Sequence, residues 1–423
     1  MTACRPLLIA LLGCVLGANA QSIGAPGDGL APWRPSVNGQ WRGQWDGSRA
    51  NTQGPVAMAN TLSPGTVPVS ARAINAQLEF RAMAPTWQAT ATLQDQWQQR
   101  QGNTTRAWIN EAVLNAEVGD WQLSAGKKIV SWDVGYAFRP NDVVQQEARR
   151  SLVSTTLEGR GLIMAEQFAS DSAWSVVWVN PGHGPQEQAG RENALALRYY
   201  QRQGAVDWHA FARRGVQSGA SMGLAAAWVA TDALELHASA RGIRHTQRLV
   251  SDAPQQAVLN STPWHIRSEG SSTQMLLGGT WTHRSQLSLL AETWWDGNAW
   301  SAADWRRWVQ RNQALGAMAG SGVPASALAG NLAWQAQALA YASSLHRHNV
   351  YLRLSWTHEG WQPTLDLLYH PADGGRLWTA GLTYKGDLLE LQTGIRLAAG
   401  PSDSILRQLP SQQQFYLSVM RSF

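Results

Sequence analysis

The charged side chains of this chain are spaced for a wetted wall rather than for a catalytic centre. Arg81, Lys128, Arg198, Arg202, Arg213, Arg241, Arg353, Lys385 and Arg396 share the polar parity of segments that alternate apolar and polar residues. So do Glu79, Glu111, Glu117, Asp207, Glu235, Glu292, Asp366 and Glu390. Nine positive against eight negative groups leave no strong field of one sign. Such a wall either solvates and cross-links itself or sets the solute preference of a passage. The pore-lining candidates are Glu111, Lys128, Arg198, Arg213, Arg241, Arg353 and Arg396. Arg139, Asp142, Glu147, Arg149 and Arg150 fall in an irregular stretch and are candidates for a constriction; a solvated loop is the plainer alternative.

Catalytic and metal chemistry find little support. Gly219-Ala220-Ser221-Met222-Gly223 has nucleophile-elbow spacing, but that motif needs a strand, a sharp turn and a helix. Here it opens an alternating segment with no helix after it, so no catalytic residue and no enzyme is expected. His346 and His348 could ligate a metal, yet two histidines without a third ligand read more simply as a solvated loop. No metal and no cofactor is expected.

The elements that position these residues begin after a leader. Arg5 is followed by an apolar run from Leu7 to Gly17, and Ala18-Asn19-Ala20 is a small-x-small cleavage site. That reads as a secretory signal peptide over 1–20, too short to span a membrane. Leu11-Leu12-Gly13-Cys14 also fits a lipoprotein box, with a shorter apolar stretch before it. Cys4 and Cys14 both lie in the leader, so cleavage at Ala20 leaves no disulfide or thiolate site.

Residues 21–35 are expected as a periplasmic segment and 36–423 as one barrel. Charged residues are only 15% of the chain, and Trp numbers 23 against six Phe. Trp is favoured where a ring is half in lipid and half in water. A Trp-rich sugar-binding protein would cluster them, whereas here they are spread evenly. No run after the leader approaches the 18 apolar residues of a helical span. The net charge of +5 includes no Lys/Arg tract, so nucleic-acid binding is not expected.

Period two runs nearly end to end. It is legible in 74–84, 87–97, 108–118, 121–132, 161–167, 174–178, 195–202, 206–213 and 222–230. It continues in 234–241, 274–282, 287–295, 350–357, 361–369, 378–384, 389–397 and 414–423, and Val37 to Trp45 supplies an eighteenth segment. Tight connections alternate with long ones at 133–159, 182–192, 245–270 and 296–345. The expected fold is all-β: a transmembrane antiparallel up-and-down β-barrel of about 18 strands, with 16 as the runner-up. A soluble solenoid or sandwich is the alternative, but no repeat of fixed length appears.

Turn arithmetic sets two registers. Across Gly119-Asp120, Val118 should face Trp121 and Glu111 should meet Lys128 on the inner side. Across Gly386-Asp387, Tyr384 should face Leu389, Trp378 should face Ile395 and Thr383 should face Glu390. Asp95 and Lys127 fall on the lipid-facing parity; Gly126 could mark a bulge that turns Lys127 inward. The hairpin around 169–172 is apolar on both faces (Leu162, Met164, Val177, Val179), which leaves its orientation open. Trp87, Trp121, Trp174, Trp208, Trp228, Trp281 and Trp361 should ring the periplasmic side. Trp97, Trp108, Trp132, Trp178, Trp295 and Trp378 should ring the outer side.

Two stretches carry a resemblance. Gln414 to Phe423 alternates and ends on an aromatic residue, with Phe415, Leu417, Val419 and Phe423 on one parity. It resembles the closing strand of bacterial outer-membrane β-barrels. In that family this strand is read by the barrel insertion machinery, which implies that machinery and outer-membrane lipid as partners. Gly126-Lys-Lys-Ile-Val-Ser-Trp132-Asp-Val-Gly135-Tyr-Ala-Phe-Arg-Pro140-Asn-Asp142 resembles a stretch of porin-like and alginate-export-like barrels, with Asp133 where a Gly is usual. The resemblance implies an extracellular loop over 133–159 that folds into the pore.

The longest connection, 296–345, leaves period two. Ser301 and Asp304 form a capping box, and Trp305, Trp308, Val309 and Leu315 follow helical spacing. Pro324 can open a second, Ala-rich helix running to about Leu345. Such a helical hairpin could cover the mouth, plug the lumen or rest on the leaflet. The expected function is a porin-like outer-membrane channel for passive passage of small polar solutes. An exporter of an anionic polysaccharide, a plugged structural barrel and a barrel enzyme are the alternatives. No feature of the sequence speaks to an oligomeric state.

Overall fold

Strands of eight to seventeen residues form the wall, long enough to cross a bilayer when tilted. The computed structural model describes residues 35–145, 157–181, 192–341 and 344–423. The leader, 21–34 and the constriction candidates Glu147, Arg149 and Arg150 lie outside the described residues. The first strands are β1 (Ser36–Ala50), β2 (Arg72–Ala84), β3 (Trp87–Gln98), β4 (Gly102–Val118), β5 (Trp121–Lys128), β6 (Arg160–Phe168) and β7 (Ser172–Val179). Next come β8 (Ala194–Gln203), β9 (Val206–Gly215), β10 (Gly219–Thr231), β11 (Leu234–Ile243), β12 (Thr246–Ser251) and β13 (Trp264–Glu269). The last are β14 (Ser272–Thr282), β15 (Leu287–Asp296), β16 (His348–Trp356), β17 (Trp361–His370), β18 (Gly375–Lys385), β19 (Glu390–Ala399) and β20 (Ser411–Ser422).

Eighteen of them make one antiparallel sheet, and β1 pairs with β20 to close it. The pair β12–β13 stands apart as a two-stranded hairpin. It falls in the 245–270 connection, where the alternation gave no strand. Every connection on the rim of both chain ends is short, as expected for the periplasmic side, whereas the opposite rim carries the long connections together with short turns at 99–101, 216–218 and 371–374. Closure is completed at that rim by Gly39 and Phe423, which exchange backbone hydrogen bonds of 2.8 and 2.9 Å. The Phe423 ring lies over Gly39, where a Cβ would sit 2.2 Å from it, and meets Phe80 edge-on.

The outer face is apolar and exposed. Leu114, Leu195, Met222, Leu224 and Leu277 are among the large residues that project there. Among the exposed tryptophans, Trp121, Trp174, Trp208, Trp228, Trp281, Trp356 and Trp361 lie toward the periplasmic rim, and Trp178, Trp295 and Trp378 toward the opposite rim. Two tryptophans depart from the expected outer ring. Asn110 is a bulge in β4 between the pairs Thr90↔Glu111 and Ala91↔Ile109. It flips the upper half of the strand, so Trp108 pairs with the inward Thr92 and lies under Arg106. Trp132 is no longer in a strand, because β5 ends at Lys128.

The register across Gly119-Asp120 is the expected one, from Val118↔Trp121 to Ala112↔Lys127. The ladder stops there. Glu111 accepts the Ile129 amide at 2.9 Å, and Lys128 lies 4.0 Å from Glu166. The register across the 386–389 turn is corrected: Tyr384 pairs with Leu391, Thr383 with Gln392 and Trp378 with Leu397. The turn holds four residues, closed by Gly386 N donating to Leu389 O. The slip is two residues, which leaves every side chain on its own face, so parity could not detect it. Asp95 accepts from Thr105 at 2.9 Å on a hairpin that outruns β5, and Lys127 pairs with Glu158 at 2.6 Å.

On the extracellular side, helices α1 (Gly54–Leu62), α2 (Ala302–Ala317) and α3 (Ala325–Tyr341) build a cap with β12–β13 and a 3-10 turn at Ile405–Gln408. The α1 segment, in the 51–71 connection, was not legible in the sequence. The capping box at Ser301 and Asp304 starts α2 as expected. Trp305, Trp308 and Val309 pack with Leu339, Leu345, Ile405 and Leu406, and also with Ala398 and Leu377 on the inner parity of β19 and β18. A second cluster joins Ala59 of α1 to Leu315, Leu328 and Leu332. The cap thus rests on the inner rim and draws on the connections after β1, β11, β15 and β19.

Gly126 lies at φ +134°, and a Cβ there would fall 2.0 Å from Ala112 O across the β4–β5 pair. Replacing Gly126 with Val should cost on the order of 3 kcal/mol through backbone strain. The expected result is a lower unfolding temperature by gel mobility of heated samples; an unchanged transition would refute the close approach.

Candidate functional site

The stretch after β5 enters the lumen instead of leaving the barrel. Val130, Trp132, Val143 and Val144 pack against Leu162, Met164, Val177, Val179, Ala194, Ala196, Phe211 and Ala225. Those wall residues are the inward set of β6 to β10. This explains the two apolar faces of β6 and β7: one meets lipid and the other meets the infolded loop. Trp132 stacks on Phe211 with ring centroids 6.5 Å apart.

The tip of the loop is held by polar anchors on the far wall. Glu292 of β15 accepts the Tyr136 amide at 2.6 Å and the Ala137 amide at 2.7 Å. His237 of β11 lies 2.9 Å from Glu292 and 3.1 Å from Glu235. Asp133 accepts from Ser239 at 2.7 Å, and Asn141 donates to the same hydroxyl at 2.8 Å. Arg241 donates to Pro140 O and to Ser221, each at 3.0 Å. Arg353 of β16 donates to the Tyr136 hydroxyl at 2.8 Å, and Tyr136 stacks on Tyr351. Phe138 stacks on Trp294 of β15 at 5.6 Å. The approach is close enough that a Cβ on Gly223 would lie 1.8 Å from Asn141 Oδ1.

In the sheet order, β16 is nine strands from β5 in a ring of eighteen. The loop therefore reaches the opposite wall and covers the arc from β6 to β15. The arc left open carries Arg353, Arg396, Arg42, Arg81, Lys128 and Lys385 on its inner face, with Asp366, Glu390, Asp46, Glu79, Glu111 and Glu117 among them. Arg353 lies 3.5 Å from Asp366 and Arg81 lies 4.0 Å from Glu79. Arg396 donates to Thr379 at 3.1 Å.

The structure separates the other candidates by environment. Arg213 is buried and pairs with Glu192 at 2.7 Å; Arg241 is buried under the loop. Arg198 lies over the rings of Trp132 and Tyr200. Arg139 donates to Gly135 O at 2.6 Å and lies 3.8 Å from Asp142. Asp142 is buried and accepts from Ser131 and from the Trp132 and Asp133 amides. Ser221 sits on a strand as the partner of Arg241. His346 and His348 part company: His348 reaches Thr293 at 3.1 Å, whereas His346 turns to Asp373. Between loop and cap lies a cavity of about 450 Å³, lined in part by Asp142, Arg213, Arg241, Arg248, Trp300 and Tyr341. The anchors Glu292, His237, Ser239 and Asn141 were missed as anchors by sequence reasoning. The signal that could have found them is the apolar inner parity of β6 to β8, which demands a cover.

Loop and cap carboxylates differ in kind. Burial pushes the Asp133 and Asp142 carboxyls above the ordinary value, against the amide and hydroxyl donors that pull them down. Asp304 is held below it: burial would raise it, but Ser301, Arg248 and Arg307 outweigh that.

No protein-family model and no curated protein sequence matches the chain. Among solved structures the fold is similar to OccAB3 of Acinetobacter baumannii, with a TM-score of 0.51 and 9% identity over 92% of this chain and 99% of that one. OprD of Pseudomonas aeruginosa gives 0.49 at 9% identity, over 92% and 95%. A mutant porin of Rh. blastica gives 0.43 at 10% identity, over 92% and 100%. At such identities the likeness concerns fold alone. The closed sheet and its apolar outer belt make this chain a porin-like β-barrel of the outer membrane.

Removing the Glu292 carboxylate leaves two amides without their acceptor, at about 1–3 kcal/mol each. Glu292→Ala should therefore release the loop tip. In an Ala137→Cys background, maleimide labelling should be slow with Glu292 and fast without it; equal rates would show that Glu292 does not hold the tip. Acid should act on the cap instead. The depressed Asp304 stabilises above the ordinary carboxylate pKa of about 3.9 and loses that contribution as pH falls through its lower folded value. The raised Asp133 and Asp142 contribute fully below about 3.9 and lose their contribution as pH rises through their folded values. Hydrogen exchange corrected for intrinsic rates should accelerate at 301–317 near pH 3 and not at 129–145; the reverse order would contradict this assignment.

Proposed function

We propose that this barrel is a channel through which small polar solutes diffuse, with weak charge preference and no chemistry on the solute. The observation that carries the reading is the infolded loop: it crosses to the opposite wall and leaves an arc where basic and acidic side chains are interspersed. A wall of that kind gives a solute polar partners of both signs and no strong single-sign field. An exporter of an anionic polysaccharide would need a continuous cationic track, and Arg353 and Arg81 each have a carboxylate beside them. Outer-membrane lipid and the barrel insertion machinery are the partners that go with this reading.

Planar-bilayer recording on the purified full-length barrel tests it. Wild type should conduct with low ion selectivity. Neutralising Arg139, Arg149 and Arg150 together should shift selectivity toward cations. Deleting 301–343 should raise conductance by removing the cap. A folded barrel that passes no ions in either form would overturn the channel reading and favour a plugged structural barrel.

A further inference from the structure

Three metal-ligating side chains from two separate connections meet under the cap. His346 lies between α3 and β16, His370 ends β17, and Asp373 sits in the turn to β18. His346 Nε2 is 2.8 Å from Asp373 Oδ2, and the two imidazole rings meet edge-on with centroids 4.9 Å apart. One ligand atom from each of the three residues falls within 4.8 Å of the others. Both imidazoles are only 1% exposed.

The cluster is built rather than incidental. Asp373 is fixed by the amides it accepts: Gly375 N at 2.9 Å on Oδ1 and Ile405 N at 2.8 Å on Oδ2. The backbone of His346 is fixed by Asn349, whose side-chain amide donates to its carbonyl at 2.7 Å. Yet Nδ1 of His346 is buried without a hydrogen-bond partner. That nitrogen is not the one that meets Asp373, so the donor set rests on Nε2. Two imidazoles and one carboxylate are a donor set suited to zinc and its neighbours in the first transition row, with metal–ligand bonds of about 2.0–2.2 Å.

We propose that His346, His370 and Asp373 form a divalent transition-metal site of the zinc class that staples the cap to the barrel rim. The cation takes the place of the hydrogen bond between His346 Nε2 and Asp373, and His346 binds it as a neutral imidazole with its proton on Nδ1: an imidazolium releases its Nε2 proton to solvent, and a neutral ring only changes tautomer. His346 lies five residues beyond the end of α3, and its ring centroid lies 6.4 Å from that of Trp305 of α2. Asp373 belongs to the β17–β18 turn and also holds the 3-10 turn through Ile405. One ion would thus join three connections that otherwise meet through apolar packing. Because both rings are enclosed, the ion enters during folding or when the cap lifts.

The test uses the full-length protein refolded in detergent with zinc, freed of loose metal by gel filtration. Retained zinc, measured by elemental mass spectrometry, should be stoichiometric with the chain. His370→Gln and His346→Gln should each lose at least about tenfold in affinity, while His348→Gln should keep the metal. Cobalt refolded into the wild type should give visible absorption bands of low-coordinate Co²⁺, a readout that stands even if a variant fails to fold. Zinc removal should lower the unfolding temperature of the cap. Wild type that retains no zinc and shows no cobalt bands overturns the site. Zinc retained equally by the folded double variant of His346 and His370 overturns it as well.

Discussion

Inside a bilayer every backbone N–H and C=O must find a partner within the protein, and the rest of this structure follows from that constraint. The wall meets it by closing β1 on β20, so that no strand edge faces lipid. Closure fixes the side-chain alternation, because a one-residue slip anywhere would turn a strand's apolar set toward water. It also explains where irregularity is tolerated. The bulge at Asn110 lies above the end of β5, and there the Asn110 carbonyl accepts the Gly159 amide at 2.8 Å instead of a strand partner.

The infolded loop solves a second problem with the opposite chemistry. An irregular segment at membrane depth must satisfy its amides without a ladder. This one does so with buried carboxylates: Glu292 serves Tyr136 and Ala137, and Asp142 serves Trp132 and Asp133. Burying those charges is tolerable because each is met by several donors. The small residues of the wall make the room. A Cβ on Gly278 would lie 2.4 Å from His237 and 2.6 Å from Glu292, so glycine there lets the anchor pair form.

Cap and loop divide the labour between packing and polarity. The cap is held by aromatic burial, with Trp308 donating to Gln335 O, Trp264 donating to Trp334 O and Asn331 of α3 gripping the backbone of Leu259. It leans on β18 and β19, whereas the loop leans on β6 to β16. The two border a common cavity through Asp142, Val143 and Val144 below and Ala338 and Tyr341 above. They meet that cavity from opposite sides.

The barrel is written into the alternation of the chain. Period two is a local property of each strand, so the eighteen strands, most of their faces and the start of α2 were legible; the bulge at Asn110, which turns the upper half of β4, and the orientation of β6 and β7 were not. The sequence also showed that the loop after β5 was special, through the Gly126 to Asp142 stretch, and that β6 and β7 were apolar on both sides. What covers their inner side was decided only in three dimensions, because the partners lie far apart in sequence: Tyr136 and Glu292, Asn141 and Ser239, His346 and Asp373. The register at 386–389 was also a tertiary decision, since a two-residue slip changes no face and is settled by pairing along both flanking strands. Alternation records which side a residue faces; only the closed sheet records what stands opposite it.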